Sequence, residues 1–250
     1  MKIVLLAGGL GTRMREETEF RPKPMVEIGG EPLLWHIMRN FAHHGQTDFI
    51  ISSGYKSELI EEYFAADNWE KKAAHLSNLY PAPGRPEEEW SIRVVNTGLE
   101  TPTGGRLKKL QEILQDEQFL VTYGDGIAPV NISQLLTTHN AGGTLGTVTL
   151  ARPTSRFGIA QLDEGGLVTG FREKPILDEL VSIGFFIFKP SVLDMLETTS
   201  TLEEEPLASL AATGQLRGYI HDGFWQPIDT YRELLAMQKL WMKNTAPWKL

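Results

Sequence analysis

The chain has 250 residues, of which 41% are hydrophobic and 22% are charged, as is typical of a soluble globular protein. Its formal net charge is −8 and it has no basic run, which argues against nucleic acid as a partner, and the absence of cysteine excludes disulfides and thiolate catalysis. No apolar run reaches the roughly 18 residues of a membrane span, and the N-terminus lacks a secretory pattern. We therefore predict a cytoplasmic protein without membrane contact.

The first predicted element is a buried strand over residues 2–6, because a short apolar run there stops abruptly at glycines. Three glycines within four residues then allow a tight turn that brings backbone N–H groups close to a ligand. Arg13 in this loop and Lys23, which lies between two prolines, favour phosphate binding over a purely structural turn, although the loop matches neither the P-loop nor the dinucleotide-binding pattern. The predicted phosphate-binding loop consists of Leu6, Ala7, Gly8, Gly9, Leu10, Gly11, Thr12 and Arg13.

Helical and strand patterns alternate along the first two-thirds of the chain. This alternation predicts a mostly parallel, Rossmann-like sheet with helices on both faces, in which ligands bind beyond the carboxyl ends of the strands. Residues 67–90 interrupt the pattern with charges, prolines and glycine, and we predict an excursion from the core there, with a short helix near 69–76. The helical patterns cover residues 33–44, 57–66 and 104–115, and the strand patterns cover 48–52, 92–95 and 119–123.

The pattern changes to shorter strands after residue 150, at 158–162, 167–171 and 181–188. These strands predict an antiparallel portion of a mixed α/β sheet, and a C-terminal helix follows over residues 230–243. With no internal repeat and no low-complexity tract, we predict a single domain over residues 1–250.

Several polar residues follow directly after predicted strands. Asp125 lies between two glycines at the end of strand 119–123, where a carboxylate can hold a hard cation such as Mg²⁺ or simply form a turn. Asp229 precedes the C-terminal helix, where it could equally be the N-cap of that helix rather than a cation ligand. The Glu173-Lys174 pair can bind a sugar hydroxyl and a phosphate, or form a solvated turn. The segment 103–106 opens a helix whose amides can take an anion or the edge of a base, or serve only as a cap.

Together these segments resemble the sugar-1-phosphate nucleotidyltransferases, and among them most closely the glucose-1-phosphate cytidylyltransferases. The resemblance extends over nearly the whole chain. It is carried by residues 6–13, 23–30, 34–38, 97–98, 103–108, 122–126, 156–158, 173–175, 205–207 and 224–227.

The resemblance implies the nucleotidyltransferase fold, with residues 1–150 mainly binding the nucleotide and residues 151–250 mainly binding the sugar phosphate. It implies transfer of CMP from CTP to a sugar 1-phosphate, and a homo-oligomer for which residues 67–90 are a candidate contact. The glycine loop with Gly105 and Gly124 would hold CTP, Arg13 and Lys23 would be the catalytic cations, and Asp125 and Asp229 would bind Mg²⁺. The implied sugar-phosphate-binding residues are Glu173, Lys174, Ser182, Gly184 and Trp225.

Ser182 and Ile183 stand where that family has asparagine and glycine, so other phosphorylated acceptors stay open as alternatives. The same chemistry with UTP or dTTP is a second alternative. A third is a regulatory subunit that binds nucleotide sugars without making them. The presence of Arg13, Lys23, Asp125, Lys174 and Asp229 argues against this last alternative.

Overall fold

A computed structural model describes residues 1–79 and 86–249, with the side chains of Arg13, Arg15, Glu16 and Asn78 excepted. Within these residues no helix is both long and apolar enough to cross a membrane. The strands are β1 Lys2–Leu6, β2 Glu27–Ile28, β3 Glu31–Pro32, β4 Asp48–Ser53, β5 Ser91–Asn96, β6 Phe119–Tyr123, β7 Gly126–Ile127, β8 Gly146–Ala151, β9 Ile159–Leu162, β10 Val168–Arg172, β11 Val181–Phe188, β12 Leu216–Ile220 and β13 Gln226–Pro227. The α-helices are α1 Arg15–Thr18, α2 Leu33–His43, α3 Ser57–Tyr63, α4 Ala66–Leu79, α5 Thr103–Lys109, α6 Gln111–Leu114, α7 Ile132–Gly142, α8 Glu205–Ala212 and α9 Tyr231–Met242.

The described part of the chain contains one large sheet of seven strands in the order β12-β8-β11-β6-β1-β4-β5. Strand β11 runs antiparallel to both of its neighbours, and every other neighbouring pair is parallel. The predicted mixed and mostly parallel sheet is therefore confirmed. Strands β9 and β10 form a separate antiparallel pair, so the antiparallel portion is divided between this hairpin and β11.

Alternate residues of β1 pack into two different hydrophobic clusters, because successive side chains of a strand point to opposite faces of the sheet. Ile3 and Leu5 join the cluster that contains buried side chains of α2, α4 and α9. Val4 and Leu6 join the cluster that contains buried side chains of α5, α6 and α8. Helices thus cover both faces, as the alternation of elements predicted.

The order of the strands places a crevice beside β1. The chain passes from β1 to β4 and then β5 on one side, and it returns to β6 on the other side of β1. In open α/β sheets, ligands bind at such a reversal, outside the carboxyl ends of the strands. The loops after β1 and β6 meet there, where the amide of Gly124 donates to the carbonyl of Leu6 at 3.1 Å.

The segment 67–90 corrects one prediction. Helix α4 is longer than the short helix predicted near 69–76, and its Trp69, Ala73 and Leu76 are buried in the core. The Trp69 ring stacks on Trp90 with centroids 5.6 Å apart. These side chains recur at helical spacing and form one buried face, which the charges of the other face conceal in the composition. Residues 66–79 and 86–90 therefore pack on the core, whereas residues 80–85 of the predicted excursion lie outside the described residues.

Two smaller differences concern helix boundaries. The helix predicted over 104–115 is divided at Leu110 into α5 and α6. The C-terminal helix has Thr230 as its N-cap, and the Thr230 hydroxyl accepts from the amide of Glu233. The N-cap interpretation of Asp229 is therefore wrong.

Candidate active site

A cleft of about 410 Å³ opens at the carboxyl ends of β1, β5 and β6. The whole glycine loop before Arg13 lines it, together with residues from four later parts of the chain. Arg13 itself belongs to a 3₁₀ turn, Thr12–Met14, and its side chain lies outside the described residues. The lining residues are Leu6 to Thr12, Lys23, Pro24, Leu99 to Thr103, Arg106, Tyr123, Gly124, Asp125 and Asp229.

Lys23 lies between two carboxylates in this cleft. Its Nζ donates to Asp125 Oδ2 at 2.9 Å and to Asp229 Oδ1 at 2.8 Å, across 102 and 206 positions of sequence. Lys23 is only 8% exposed, so its ammonium has lost most of its water and takes its partners from the protein. The structure thus brings together three residues that were predicted from separate motifs.

The start of α9 holds Asp229 in position. Glu233 Oε2 accepts from the amides of both Asp229 and Thr230 at 2.8 Å, and Thr230 completes a capping box. The amide of Ile228 donates to the carbonyl of Asp125 at 2.8 Å, which ties this segment to the end of β6. Because the cap is supplied by Thr230, the carboxylate of Asp229 is available to Lys23.

Arg106 fixes the other end of the cleft, and sequence reasoning did not single it out as a site residue. Its guanidinium is buried, and it donates to the carbonyls of Ser53, Gly8 and Leu99 at 2.9, 3.1 and 3.3 Å and to the Thr97 hydroxyl at 2.7 Å. Burial lowers the pKa of this guanidinium from its ordinary value. One side chain therefore ties together the loops that follow β1, β4 and β5.

We expect Gly8→Ala to destabilise the protein, because an added Cβ would lie 1.9 Å from Arg106 Nη1. Moving the guanidinium would weaken its hydrogen bonds to the carbonyls of Ser53, Gly8 and Leu99, so the free energy of unfolding should fall by about 2 kcal/mol. Gly9→Ala is the matched control, because a Cβ there meets no atom within 4 Å. Denaturant unfolding of the two variants checks this, and equal stability of both would contradict the packing explanation.

The two other glycines predicted to bind nucleotide lie in different surroundings. Gly124 lines the cleft, and a Cβ on it would come within 2.9 Å of Pro24 Cγ. Gly105 does not line the cleft: its amide donates to the carbonyl of Ser200, and a Cβ would lie 2.1 Å from the carbonyl oxygen of Thr198. Gly105 therefore allows α5 to pack closely against residues 198–200.

Tyr123 is a second cleft residue that sequence reasoning missed. Its hydroxyl donates to Glu203, whose other carboxylate oxygen accepts from the Thr103 hydroxyl at 2.5 Å. Burial, followed by the charge of Glu203, raises the pKa of Tyr123 well above its ordinary value. The position of Tyr123 directly before the Gly-Asp-Gly turn could have predicted it as a site residue, whereas no local sequence pattern predicts Glu203.

The residues predicted to bind the sugar phosphate are spread over two regions. Gly184 has a φ of 79°, and a Cβ on it would lie 2.2 Å from Cδ2 of Tyr123, so it abuts the wall of the cleft. Trp225 lies beside Gly126, just beyond Asp125. Ser182 and the exposed Glu173-Lys174 pair do not line the cleft.

Ile183 does not obstruct the cleft either. It is 6% exposed and packs in the same hydrophobic cluster as Phe185. The register of β11 against β8 shifts between Ser182 and Phe186, which is the stretch that contains Gly184. The irregularity at the positive φ of Gly184 turns Ile183 into the core, so a branched side chain at this position takes no space from a ligand.

A second cavity, of about 790 Å³, opens beside α3 and α4. At its wall Arg21 already contacts Glu27 at 2.5 Å, and Lys72 lies 3.6 Å from Glu31. Two of its cations are therefore paired locally, and none of its described lining lysines lies between two carboxylates as Lys23 does in the first cleft.

Asp125 and Asp229 suit a hard divalent cation. Their oxygens already lie around one cationic group, and carboxylate oxygens are the ligands that Mg²⁺ prefers. Over residues 1–79 and 86–249, no cluster of three or more histidine or acidic side chains is placed to hold a metal ion. A cation bound by two aspartates would complete its coordination with water and substrate phosphates, as Mg²⁺ commonly does.

Comparison with known proteins agrees with this geometry. The profile of the nucleotidyl transferase family matches residues 2–240. The chain is 45% identical over 260 residues to the glucose-1-phosphate cytidylyltransferase of Salmonella typhi, covering 100% of this chain and 99% of that protein. It is 41% identical over 255 residues to a Bacillus subtilis protein named probable glucose-1-phosphate cytidylyltransferase, covering 100% of both.

Among solved structures, UDP-glucose pyrophosphorylase complexed with UDP-glucose has the same fold. It superposes with a TM-score of 0.72 at 18% sequence identity, over 97% of this chain and 98% of that chain. The fold, the family profile and the full-length relatives agree: the chain belongs to the nucleotidyl transferase family.

Proposed function

We propose that this protein transfers the cytidylyl group of CTP to glucose 1-phosphate, giving CDP-glucose and pyrophosphate. The observation that carries the proposal is the convergence of Lys23, Asp125 and Asp229 beside a glycine loop, in a chain 45% identical to a named glucose-1-phosphate cytidylyltransferase. CTP and sugar 1-phosphate are thus the proposed substrates. We also propose that the protein acts in the cytoplasm as a homo-oligomer.

The proposed reaction is an in-line displacement. A phosphate oxygen of glucose 1-phosphate forms a bond to the α-phosphorus of CTP, and the bond from that phosphorus to the oxygen bridging to the β-phosphate breaks. The electron pair of the broken bond leaves with pyrophosphate. The attacking phosphate is already ionised, so no side chain has to take a proton, and catalysis consists of positioning and charge stabilisation.

The residues of the cleft divide this work between them. Amides of the glycine loop would hold the triphosphate, and the Lys23 ammonium would lie against the charge that develops around the α-phosphorus. Members of the family generally use a divalent metal ion, and we propose that Asp125 and Asp229 would hold Mg²⁺, which would supply positive charge to the reacting phosphates when bound. Arg13 is a further proposed cation of the phosphate site.

The acceptor half of the site is proposed to lie beside Tyr123. Gly184 and Trp225 flank the segment Tyr123–Gly126 and would bound the sugar, while Glu173 and Lys174 would approach from the end of β10. The burial of Ile183 keeps glucose as the proposed acceptor, because the branched side chain at this position packs in the core, and Ser182 does not line the cleft.

A substrate panel tests the proposal. Pyrophosphate release is measured with CTP, UTP and dTTP, each combined with glucose 1-phosphate and with other sugar 1-phosphates. We expect CTP with glucose 1-phosphate to give the highest kcat/KM. A higher value for another pair would replace these substrates, and nucleotide binding without pyrophosphate release from any pair would favour a regulatory subunit.

We expect Asp125→Asn to lower kcat by about 100-fold and to raise the Mg²⁺ concentration needed for half-maximal rate, because one of the two proposed anionic ligands is lost. Calorimetric titration of the variant with Mg²⁺ and CTP gives a readout independent of turnover. Asp116→Asn is the matched control, since Asp116 is exposed and outside the cleft. An unchanged Mg²⁺ dependence would remove the metal assignment.

A further inference from the structure

The cleft has two chemically different ends, and the glycine loop runs from one to the other. Gly11 lies at the first end, where a Cβ on it would be 3.1 Å from Lys23 Cβ. Gly8 lies at the second end, where its carbonyl shares Arg106 Nη2 with the carbonyl of Leu99. Three residues of chain span up to about 10 Å. Among the described lining residues of the second end, the cation is Arg106, which already directs its donors to the protein, so a triphosphate held at Lys23 leaves this end to its nucleoside.

Glu100 lines the nucleoside end of the cleft. The other charged side chain there, Arg106, is buried and directs its donors to three carbonyls and one hydroxyl of the protein. The Glu100 side chain is exposed, and it makes no hydrogen bond or ion pair with any other residue that the structure describes. Its carboxylate is thus the charged acceptor at this end that is open to a ligand.

The loop holds Glu100 in place from both sides. The carbonyl of its neighbour Leu99 accepts from Arg106. The hydroxyl of its other neighbour, Thr101, donates to the Thr97 carbonyl at 2.7 Å and accepts from Lys109 Nζ at 2.9 Å. Because both flanking residues are anchored, the carboxylate is presented to the cleft at little further cost in backbone entropy.

An ionised carboxylate accepts hydrogen bonds and cannot donate them. Cytosine carries an amino donor at C4, whereas uracil and thymine carry a carbonyl acceptor at the same position. We propose that Glu100 is a specificity-determining residue that accepts a hydrogen bond from the 4-amino group of the cytosine base and repels the 4-oxo group of uracil or thymine. The inference rests on the proposed function, because it names how the nucleotide of that reaction is selected.

The ribose hydroxyls are the competing donors for the same carboxylate. They are identical in CTP and UTP, so a contact with them would support both nucleotides equally. A contact with the 4-amino group supports CTP alone. The ratio of kcat/KM for CTP to kcat/KM for UTP therefore separates the two assignments, whereas the value for CTP alone does not.

The test compares the protein with its Glu100→Gln variant, whose amide can donate to a 4-oxo group. We expect kcat/KM for CTP to fall by about 10- to 100-fold, and the CTP-to-UTP ratio to fall at least about tenfold, since a hydrogen bond to a charged acceptor is lost. Glu112→Gln removes the same charge from the exposed face of α6 and should leave the ratio unchanged.

Binding of CMP and UMP, followed by calorimetry, gives the same comparison without turnover. An unchanged ratio in Glu100→Gln, or an equal loss for both nucleotides, would overturn the inference. Absence of pyrophosphate release from CTP by the unaltered protein would contradict the proposed function instead. The two failures are seen in different proteins, so they cannot be confused.

Discussion

Lys23→Met should lower kcat/KM by about 1000-fold while the fold persists. The substitution removes the ammonium that lies 2.8–2.9 Å from Asp125 and Asp229, so two carboxylates then face the space proposed for the triphosphate without an internal cation. It also removes a charge that would stabilise the reacting phosphates, an effect worth about 100- to 1000-fold for a single donor. Methionine has a similar length and suits a position that is only 8% exposed, so thermal unfolding should stay cooperative.

Lys72→Met is the matched control for Lys23→Met. Lys72 also contacts a carboxylate, Glu31 at 3.6 Å, but it lies outside the cleft. The kcat/KM of Lys72→Met should stay within about twofold of that of the unaltered protein, because the lost ion pair does not line the cleft. Pyrophosphate release measures both variants, and a Lys23→Met protein that keeps a tenth of its activity would contradict the assigned role.

Arg106→Met should lower the free energy of unfolding by about 4 kcal/mol and raise the KM for CTP. Four acceptors each lose a hydrogen bond from a charged donor, and each such bond contributes about 1 kcal/mol to stability. Arg106→Lys should recover only part of this loss, since an ammonium lacks the planar fork that reaches Ser53 and Gly8 together. The KM effect follows from release of the Gly8 and Leu99 loops, which line the cleft.

The matched control for Arg106 is Arg93→Met, which removes a guanidinium from an exposed position of the edge strand β5. Its free energy of unfolding should change by less than about 0.5 kcal/mol. Denaturant unfolding with both variants, together with the KM for CTP, separates the two effects. A stable Arg106→Met protein with an unchanged KM would show that the loops are held by other contacts.

Local sequence patterns were sufficient to predict most strands of the large sheet. The apolar runs at 119–123 and 181–188 have the same bounds as β6 and β11, because each is a short, mostly buried run that ends at a glycine or a charged residue, Gly124 or Lys189. The position of Asp125 also followed from the rule that strand ends meet at one edge. The helix over residues 66–79 was harder to predict, since its many charged residues obscured a buried helical face.

The site residues that the sequence did not predict were missed for one physical reason, which is that they act through long-range contacts. Arg106 acts through backbone carbonyls of three loops, and carbonyls leave no mark in a sequence. Glu203 meets Tyr123 across 80 positions, and Asp229 meets Lys23 across 206. Contacts of such long range depend on how the whole sheet is assembled. The family resemblance supplied the proposed metal-binding role of Asp229, and the local pattern did not.

The separation between Lys23 and Asp229 also bears on the order in which the protein is synthesised. All seven strands of the large sheet lie between Lys2 and Ile220, so a growing chain has every strand before Asp229 is added. The second carboxylate and its cap on α9 come only afterwards. Synthesis proceeds from the N-terminus, so Asp125 is the only one of the two carboxylate partners of Lys23 that is present until Asp229 is added. The cation site is then completed by the last part of the described chain to emerge.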